Sequence, residues 1–361
     1  MNSFTIGVEE EFGLVDPATG RLVPAIEAVL ASLSVKERKL IKPDVHQATL
    51  EIATGICANL DEVRAELLQL RRRADRAAQQ AGVRIFPAAI HPHNRWREQP
   101  LVDNPRYHRL AEHQGEKWLR CLFWGLHVHL GVPDEAERVR IANGLRPFLP
   151  LFIAFAANSP YWEGRRDTAA DARLRLYSQL ETVSAPPKLE DFADVDRHIA
   201  CLADEGAAVI KDLYWDIRPR RVLPTVEVRV CDMQTTVEDS LALVGLILLA
   251  AGAVRHAGAT LTATEEEIYA NRAAAIQDGL NATISLNGER LTIQNALLRF
   301  LDDSATLVER FGLESILARI RKRAEAGFTA GGRYQRLYEE AAGDEARLVS
   351  DLCGLLLSEE Q

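Results

Sequence analysis

The amino-acid sequence predicts an α+β fold with a mostly antiparallel sheet, and three observations carry that reading. Short β-forming runs are scattered between residues 4 and 232. Long Ala- and Leu-rich stretches with helical periodicity separate them. The two kinds of segment do not follow the strict strand–helix–strand order of a parallel sheet. Neither an internal repeat nor a low-complexity linker breaks the 361 residues, so a single domain over residues 1–361 is expected.

Residues 4–15 read as the opening strand, closed by the turn-forming Asp16-Pro17-Ala18-Thr19-Gly20. A short helix follows from Pro24, and residues 47–52 form a second strand. Residues 61–81 place apolar side chains at helical spacing and stop at Gly82, a C-cap residue. Residues 83–88 alternate as a strand into the His91-Pro92-His93 loop. A helix is predicted over 107–119 and a strand over 121–131, ended by Gly131-Val132-Pro133. Helical pattern returns over 134–158, kinked or divided at Pro147 and Pro150, because proline lacks the backbone donor that a helix interior needs. Residues 159–172 are a polar loop, and 224–232, with Thr-Val-Glu-Val-Arg-Val, are strongly β-forming. Beyond Thr236 nearly everything reads as helix, broken at Gly279, Gly312, Gly327 and Gly343.

Composition narrows the function. Hydrophobic residues make up 47% of the chain, enough for a sizeable core and too many for disorder. A net charge of -9 argues against a general nucleic-acid binder, which needs a basic, phosphate-neutralising surface. The basic clusters Arg71-Arg72-Arg73 and 319–323 are read as solvated helix faces. Five scattered cysteines without CxxC spacing make a zinc knot or disulfide framework improbable and fit a reducing cytoplasm. The apolar run 241–254 is about 14 residues, short of a bilayer span, and is expected to be a buried helix. No membrane partner is expected.

Three motifs bear chemistry. In Gly7-Val8-Glu9-Glu10-Glu11-Phe12, strand alternation puts Glu9 and Glu11 on one face, about 7 Å apart, and Glu10 on the other. Such a pair is either a solvated acidic face or a seat for a cation. In residues 224–232, Glu227 and Arg229 share one face, opposite Val226, Val228 and Val230. They either pair with each other or divide the work, the carboxylate on a metal and the guanidinium on an anion. In Gly125-Leu126-His127-Val128-His129-Leu130-Gly131, His127 and His129 share a face. An HxH pair can hold zinc or be two hydrogen-bonded core histidines; the surrounding glutamates favour a hard cation, Mg²⁺ or Mn²⁺. Asp44 and Glu51 flank a turn–strand segment and mean little alone. Walker and Gly-x-Gly-x-x-Gly loops are absent.

Together with Leu-Glu-Ile-Ala-Thr-Gly at 50–55, His-Pro at 91–92, Asn-Ser-Pro-Tyr-Trp-Glu-Gly-Arg-Arg-Asp-Thr at 158–168 and Trp-Asp-Ile-Arg-Pro at 215–219, these motifs resemble the glutamate–cysteine ligase family, in its YbdK-like carboxylate–amine ligase branch. Seven pieces stand in family order over nearly the whole chain. The resemblance implies a curved, mostly antiparallel β-sheet funnel with helices packed outside, like the glutamine synthetase catalytic domain. It implies an ATP-dependent carboxylate–amine ligase that joins an amino-acid carboxylate such as glutamate to cysteine or another amine through an acyl phosphate. By motif position it implies Glu9, Glu11, Glu51, His129 and Glu227, with Asp44 in addition, as ligands of Mg²⁺ or Mn²⁺ ions that bridge ATP phosphates. It implies that Arg229 and Arg165 or Arg166 hold the acidic substrate or the transferring phosphoryl group, and that Trp215 and Arg218 lie near the nucleotide. It also implies a homodimer or higher homo-oligomer.

Such chemistry uses no covalent nucleophile, so Cys231 is expected to be a packed thiol. Gly331-Gly332-Arg333 either touches substrate or starts a helix, and no role is assigned to Glu10, Asn271 or Arg272. The rival readings are a zinc-dependent hydrolase using His127 and His129, and a nucleotide-binding protein without turnover.

Overall fold

The structure is a computed structural model that describes residues 4–204, 213–256 and 261–358. Its strands in chain order are β1 (Ile6–Val15), β2 (Ile41–Pro43), β3 (Thr49–Ala53), β4 (Arg84–Phe86), β5 (Gly125–Gly131), β6 (Tyr161–Trp162), β7 (Arg165–Arg166), β8 (Ile217–Pro219), β9 (Thr225–Asp232), β10 (Thr283–Leu286) and β11 (Glu289–Thr292). The helices are α1 (Ile26–Ala31), α2 (Leu60–Gln80), α3 (Pro105–Gln114), α4 (Glu116–Leu119), α5 (Glu135–Leu145), α6 (Leu149–Ala156), α7 (Ala172–Tyr177), α8 (Phe192–Asp204), α9 (Val237–His256), α10 (Glu265–Asp278), α11 (Ile293–Asp303), α12 (Ala305–Phe311), α13 (Glu314–Glu325), α14 (Ala330–Ala341) and α15 (Glu345–Gly354).

The main sheet runs β2-β3-β1-β5-β9-β8, with β4 also paired to β1. Every pairing in it is antiparallel, as the sequence predicts. The sheet stays open rather than closing into a barrel. One face carries Val8, Phe12, Leu126, Val128, Val226 and Val228 into the core, against helices that include α2, α6 and α9. The other face carries the polar residues and is roofed by α3, α4, α7 and the segment before β8.

Glu10 shows why β1 sits as it does. It points to the core face and is fully buried, and Arg71 of α2 meets it there with Nε to Oε2 at 2.8 Å and Nη2 to Oε1 at 2.7 Å. Ser240 donates to the same carboxylate at 2.6 Å. Arg71 spends its remaining donors on the carbonyls of Gln234, Thr235 and Leu356. The expectation of a solvated Arg71 face is therefore wrong. One cation at that depth satisfies one carboxylate and three carbonyls, and thereby ties α2 to β1, to the start of α9 and to the C-terminal segment. Arg323, in the second basic cluster, is likewise buried and pairs with Asp239 at 3.1 Å.

Helix α9 is longer than its apolar run. Its first turn carries buried Glu238 and Asp239, which favour the positive end of the helix dipole and are met by Arg319, Arg323 and Arg333. By length and composition the whole helix is apolar enough to cross a membrane, yet all of its apolar window is buried inside the protein.

Other departures are local. Gly115, at φ +59°, splits the predicted 107–119 helix into α3 and α4. The predicted helix over 134–158 is divided, with a 3₁₀ turn at Arg146–Phe148 holding Pro147. A hairpin, β6–β7, occupies the loop at 159–172, and a second, β10–β11, interrupts the helical C-terminal region. That second hairpin turns on Asn287-Gly288, both at positive φ, a signal present in the sequence and passed over. Gly331 lies in the first turn of α14, where the Thr329 side chain caps Gly332, so the glycine pair is a helix start. Asn271 pins β10 through Ser285, and Arg272 pairs with Asp216 at 2.5 Å.

Replacing Arg71 by Met strands a buried carboxylate and is expected to destabilise the protein by about 3–5 kcal/mol, measured by chemical denaturation. The Arg71→Met/Glu10→Leu double variant is expected to recover much of that loss. Equal destabilisation in both variants would rule out the pair as the cause.

Candidate active site

Cross-strand register assembles the polar face. Lys42 lies opposite Glu51, Glu51 opposite Glu11, Glu9 opposite His127, His129 opposite Glu227, and Glu227 opposite Arg218. Residues opposite one another in a pleated sheet project to the same side. One row of carboxylates, imidazoles and guanidinium groups therefore crosses six strands.

Glu9 is the centre of the row. Its Oε2 lies 3.3 Å from His127 Nδ1 and its Oε1 lies 3.6 Å from His129 Nε2. Burial alone would raise the Glu9 carboxyl, but its contacts with His127 and His129 hold it well below the usual carboxylate range. His129 Nε2 also lies 3.8 Å from Glu227 Oε1, and Glu9, His129 and Glu227 each present a ligand atom within 4.8 Å of the others. That imidazole nitrogen is buried and has no hydrogen-bond partner, while Nδ1 is 3.1 Å from the Thr225 hydroxyl. His127 turns instead to Glu9 and Glu11, and burial pushes it down to about 4, so it is neutral.

Glu227 is almost fully buried and is held by three arginines: Arg218 at 2.9 Å, Arg220 at 3.0 Å and Arg229 at 2.5 Å. Burial opposes its ionisation, and the charges of Arg229, Arg218, His129 and Arg220 overcome it and keep the carboxylate well below its ordinary value. Arg229 reaches the row through a β-bulge. Leu126 pairs with Cys231 and Val128 with Val228, so Arg229 and Val230 together stand opposite His127. Arg173 of α7 donates to the two bulge carbonyls, Val230 at 3.2 Å and Arg229 at 3.4 Å. A Cβ on Gly125 would come within 2.4 Å of the Arg173 guanidinium, which would then have to leave the bulge carbonyls. Behind the bulge, Asp232 and Asp171 share the Ser159 hydroxyl, at 2.7 and 3.2 Å.

Two cavities meet at Glu9. The first, about 230 Å³, is lined by Glu9, Glu11, Asp44, Glu51, His127, Arg106, Arg173, Arg218, Arg220 and Arg229, with an aromatic wall of Tyr107, Trp118, Phe123, Tyr177 and Tyr214. The second, about 420 Å³ and largely apolar, is lined by Glu9 and His129 with Ile6, Val8, Ile56, Pro133, Leu223 and Pro224.

Of the residues expected from the sequence, Glu9, Glu11, Asp44, Glu51, Arg218 and Arg229 line the first cavity, and His129 and Glu227 adjoin Glu9. Arg165 and Arg166 are exposed on the β6–β7 hairpin and do not line it. Trp215 does not line it either: its ring is buried among Val139, Leu189, Phe192, Val195 and Leu213, where so large an apolar surface is removed from water. Cys231 is fully buried, and burial pushes its thiol up, so it is a packed thiol. Arg106, Arg173, Arg220 and the aromatic wall were missed. Two signals were available: Arg218 and Arg220 alternate as on one strand face, and Arg173 and Tyr177 stand four apart after the helix cap Asp171.

Residues 5–351 match the family model for glutamate–cysteine ligase family 2. A protein of Sorangium cellulosum, provisionally named glutamate–cysteine ligase 2, is 32% identical over 362 residues, covering 97% of this chain and 95% of its own. A Rubrobacter xylanophilus protein, provisionally named glutamate–cysteine ligase 2-3, is 36% identical over 293 residues, covering 80% of this chain and 79% of its own. Among solved structures, glutamate–cysteine ligase of Francisella tularensis in complex with AMP superposes with a TM-score of 0.74 at 12% identity, over 98% of this chain and 88% of that one. A bifunctional glutathione synthetase from Pasteurella multocida gives 0.71 at 17% identity, over 98% of this chain and 51% of that one. At these identities the two structures bear on the fold, and both share it.

The carboxylates at the other end of the row crowd one another. Burial first, then Asp44 and Glu51, push Glu11 up to about 8. Burial and Glu9 push Glu51 up to about 7, although Lys42 approaches it at 2.7 Å. In chelator, the folded protein holds a proton on Glu11 between the unfolded value, 4.5, and about 8. Stability contributed by that proton is full below 4.5 and is lost as the pH rises through 8. The Glu11→Gln variant is expected to flatten this decline by a few kcal/mol, measured by denaturation at several pH values. A slope identical to that of the unmodified protein would contradict the crowding.

Proposed function

The chain belongs to glutamate–cysteine ligase family 2, and from that premise we propose that it is an ATP-dependent carboxylate–amine ligase, with residues 1–361 acting as one catalytic domain. The observation that carries the reading is the meeting at Glu9 of a group of residues that could hold a cation, an arginine cluster and two cavities of opposite character. An acyl-phosphate ligase needs those parts together. It must hold ATP, neutralise its phosphates, and keep an acidic substrate in line with the γ-phosphoryl.

The donor set fits a hard divalent cation. Two carboxylates and the unpartnered His129 nitrogen converge within 4.8 Å. One ion would be held by Glu9, His129 and Glu227, and a further one by Glu11 and Glu51. Bound there, Mg²⁺ or Mn²⁺ supplies charge that offsets the phosphates and the developing transition-state oxygens. The largely apolar second cavity suits the nucleoside, and the first suits the carboxylate substrate, glutamate in the family's reaction.

The residues of the chain then divide the work. Arg229, presented by its bulge, meets the substrate carboxylate or the phosphoryl oxygens. Arg218 and Arg220 keep Glu227 ionised, and Glu227 in turn fixes Arg229 at 2.5 Å. Neutral His127 orients Glu9. Residues of α3, α4 and α7 wall the first cavity, Tyr107, Trp118, Arg173 and Tyr177 among them. A zinc hydrolase built on both histidines fits less well, since His127 stands apart from the converging group of Glu9, His129 and Glu227.

The test uses Mg-ATP, L-glutamate and hydroxylamine, which traps an acyl phosphate as a hydroxamate. ADP and γ-glutamyl hydroxamate are expected in equal amounts. Glu227→Gln is expected to lower the rate by about 10² or more. Because it also leaves Arg218, Arg220 and Arg229 without their shared carboxylate, it is expected to lower thermal stability too. The rate is therefore read at a temperature where circular dichroism shows the variant folded. Binding of Mg-ATP with no hydroxamate from any acidic amino acid would refute the ligase reading and favour a protein without turnover.

A further inference from the structure

We propose that the acceptor for this ligase is an arylalkyl amine, its ring seated on an aromatic arc in the first cavity. The inference rests on the ligase reading above and names the amine that this reading leaves open.

The arc is continuous. Trp118 and Tyr214 lie 6.0 Å apart between centroids, Tyr214 and Tyr177 5.8 Å, and Tyr177 and Phe123 5.4 Å, the last pair edge to face. These four rings come from α4, the segment before β8, α7 and the segment before β5. Tertiary packing therefore brings them together on one wall. None of them borders the second cavity, so the wall lies apart from the proposed nucleoside site. Trp118 and Tyr214 are buried, and both line the cavity.

Charge is placed to match. Asp44 lines the same cavity and accepts a hydrogen bond from the Tyr107 hydroxyl at 3.3 Å. An incoming ammonium meets that carboxylate and the faces of the neighbouring rings, and both attract a cation. The body attached to the ammonium then lies on the arc, where offset or edge-to-face ring contacts are favourable. A cysteine side chain, one methylene and a thiol, reaches fewer of these rings than an arylalkyl group does. Each methylene of additional apolar contact in a pocket is worth roughly tenfold or more in selection.

The chemistry closes on this geometry. Asp44 takes one proton from the bound ammonium, and the neutral amine nitrogen then attacks the carbonyl carbon of the acyl phosphate, so that a C–N bond forms as the carbon–oxygen bond to phosphate breaks. The electron pair leaves with the phosphate, which takes up the proton lost by nitrogen. The product is an N-arylalkyl amide.

Saturation kinetics with Mg-ATP and L-glutamate test the inference, with 2-phenylethylamine and L-cysteine as rival acceptors and hydroxylamine as common reference. The expected kcat/KM for 2-phenylethylamine exceeds that for cysteine at least tenfold. Trp118→Leu and Tyr214→Leu are each expected to lower the 2-phenylethylamine-to-hydroxylamine ratio about tenfold. Should one of them fail to fold, Phe123→Leu reads the same arc. A cysteine value equal to or above that of 2-phenylethylamine, or a ratio unmoved in the folded variants, overturns the aromatic acceptor while leaving the ligase reading intact. Absence of hydroxamate overturns the ligase reading, and this inference falls with it.

Discussion

The buried pair of Glu10 and Arg71 is the interaction on which the rest of the structure depends. A strand whose residues 9, 10 and 11 are all glutamate has no apolar pattern at its middle to fix its register, and a slip of one residue would turn every side chain to the opposite face. A carboxylate buried on the core face, met at 2.7 and 2.8 Å by one guanidinium, removes that ambiguity. A slip of one residue would instead bury Glu9 and Glu11 together against the single guanidinium of Arg71, at a cost of several kcal/mol. With Glu10 inward, Glu9 and Glu11 can only face the cavity.

From that constraint the polar face follows strand by strand. Each antiparallel neighbour adds residues at positions dictated by β1: Glu51 beside Glu11, His127 beside Glu9, and then Glu227 beside His129. The bulge in β9 breaks this regularity once, and it does so where an arginine must be re-aimed. Arg173 occupies the bulge carbonyls that the ladder leaves open, so a defect in the sheet becomes a fixed presentation of Arg229.

The electrostatics along the row are uneven. At one end Glu227 is over-neutralised by three arginines; at the other Glu11, Glu51 and Asp44 repel one another with Lys42 as the nearby cation. Such an arrangement is costly for a folded protein by itself and favourable for one that binds cations and anions together, as a phosphoryl-transfer site does.

The residue pattern by itself determined the strand alternation of β1, β5 and β9, and with it the shared face of Glu9 with Glu11, His127 with His129, and Glu227 with Arg229. Alternation is a local property, a period of two that needs no knowledge of neighbours. Family order among the motifs then supplied the ligase class. Other features waited for the tertiary structure. Arg71 looked like a surface arginine because its partner lies 61 residues away in sequence. Arg173, Arg106 and the rings of the cavity wall sit on separate segments whose convergence no local spacing records. Trp215 lies close in sequence to Arg218, yet its ring packs into an apolar cluster while Arg218 reaches Glu227. Which face a side chain takes is written in its neighbours along the chain; which groups it meets there depends on elements far away, because burial energy and charge pairing act through space.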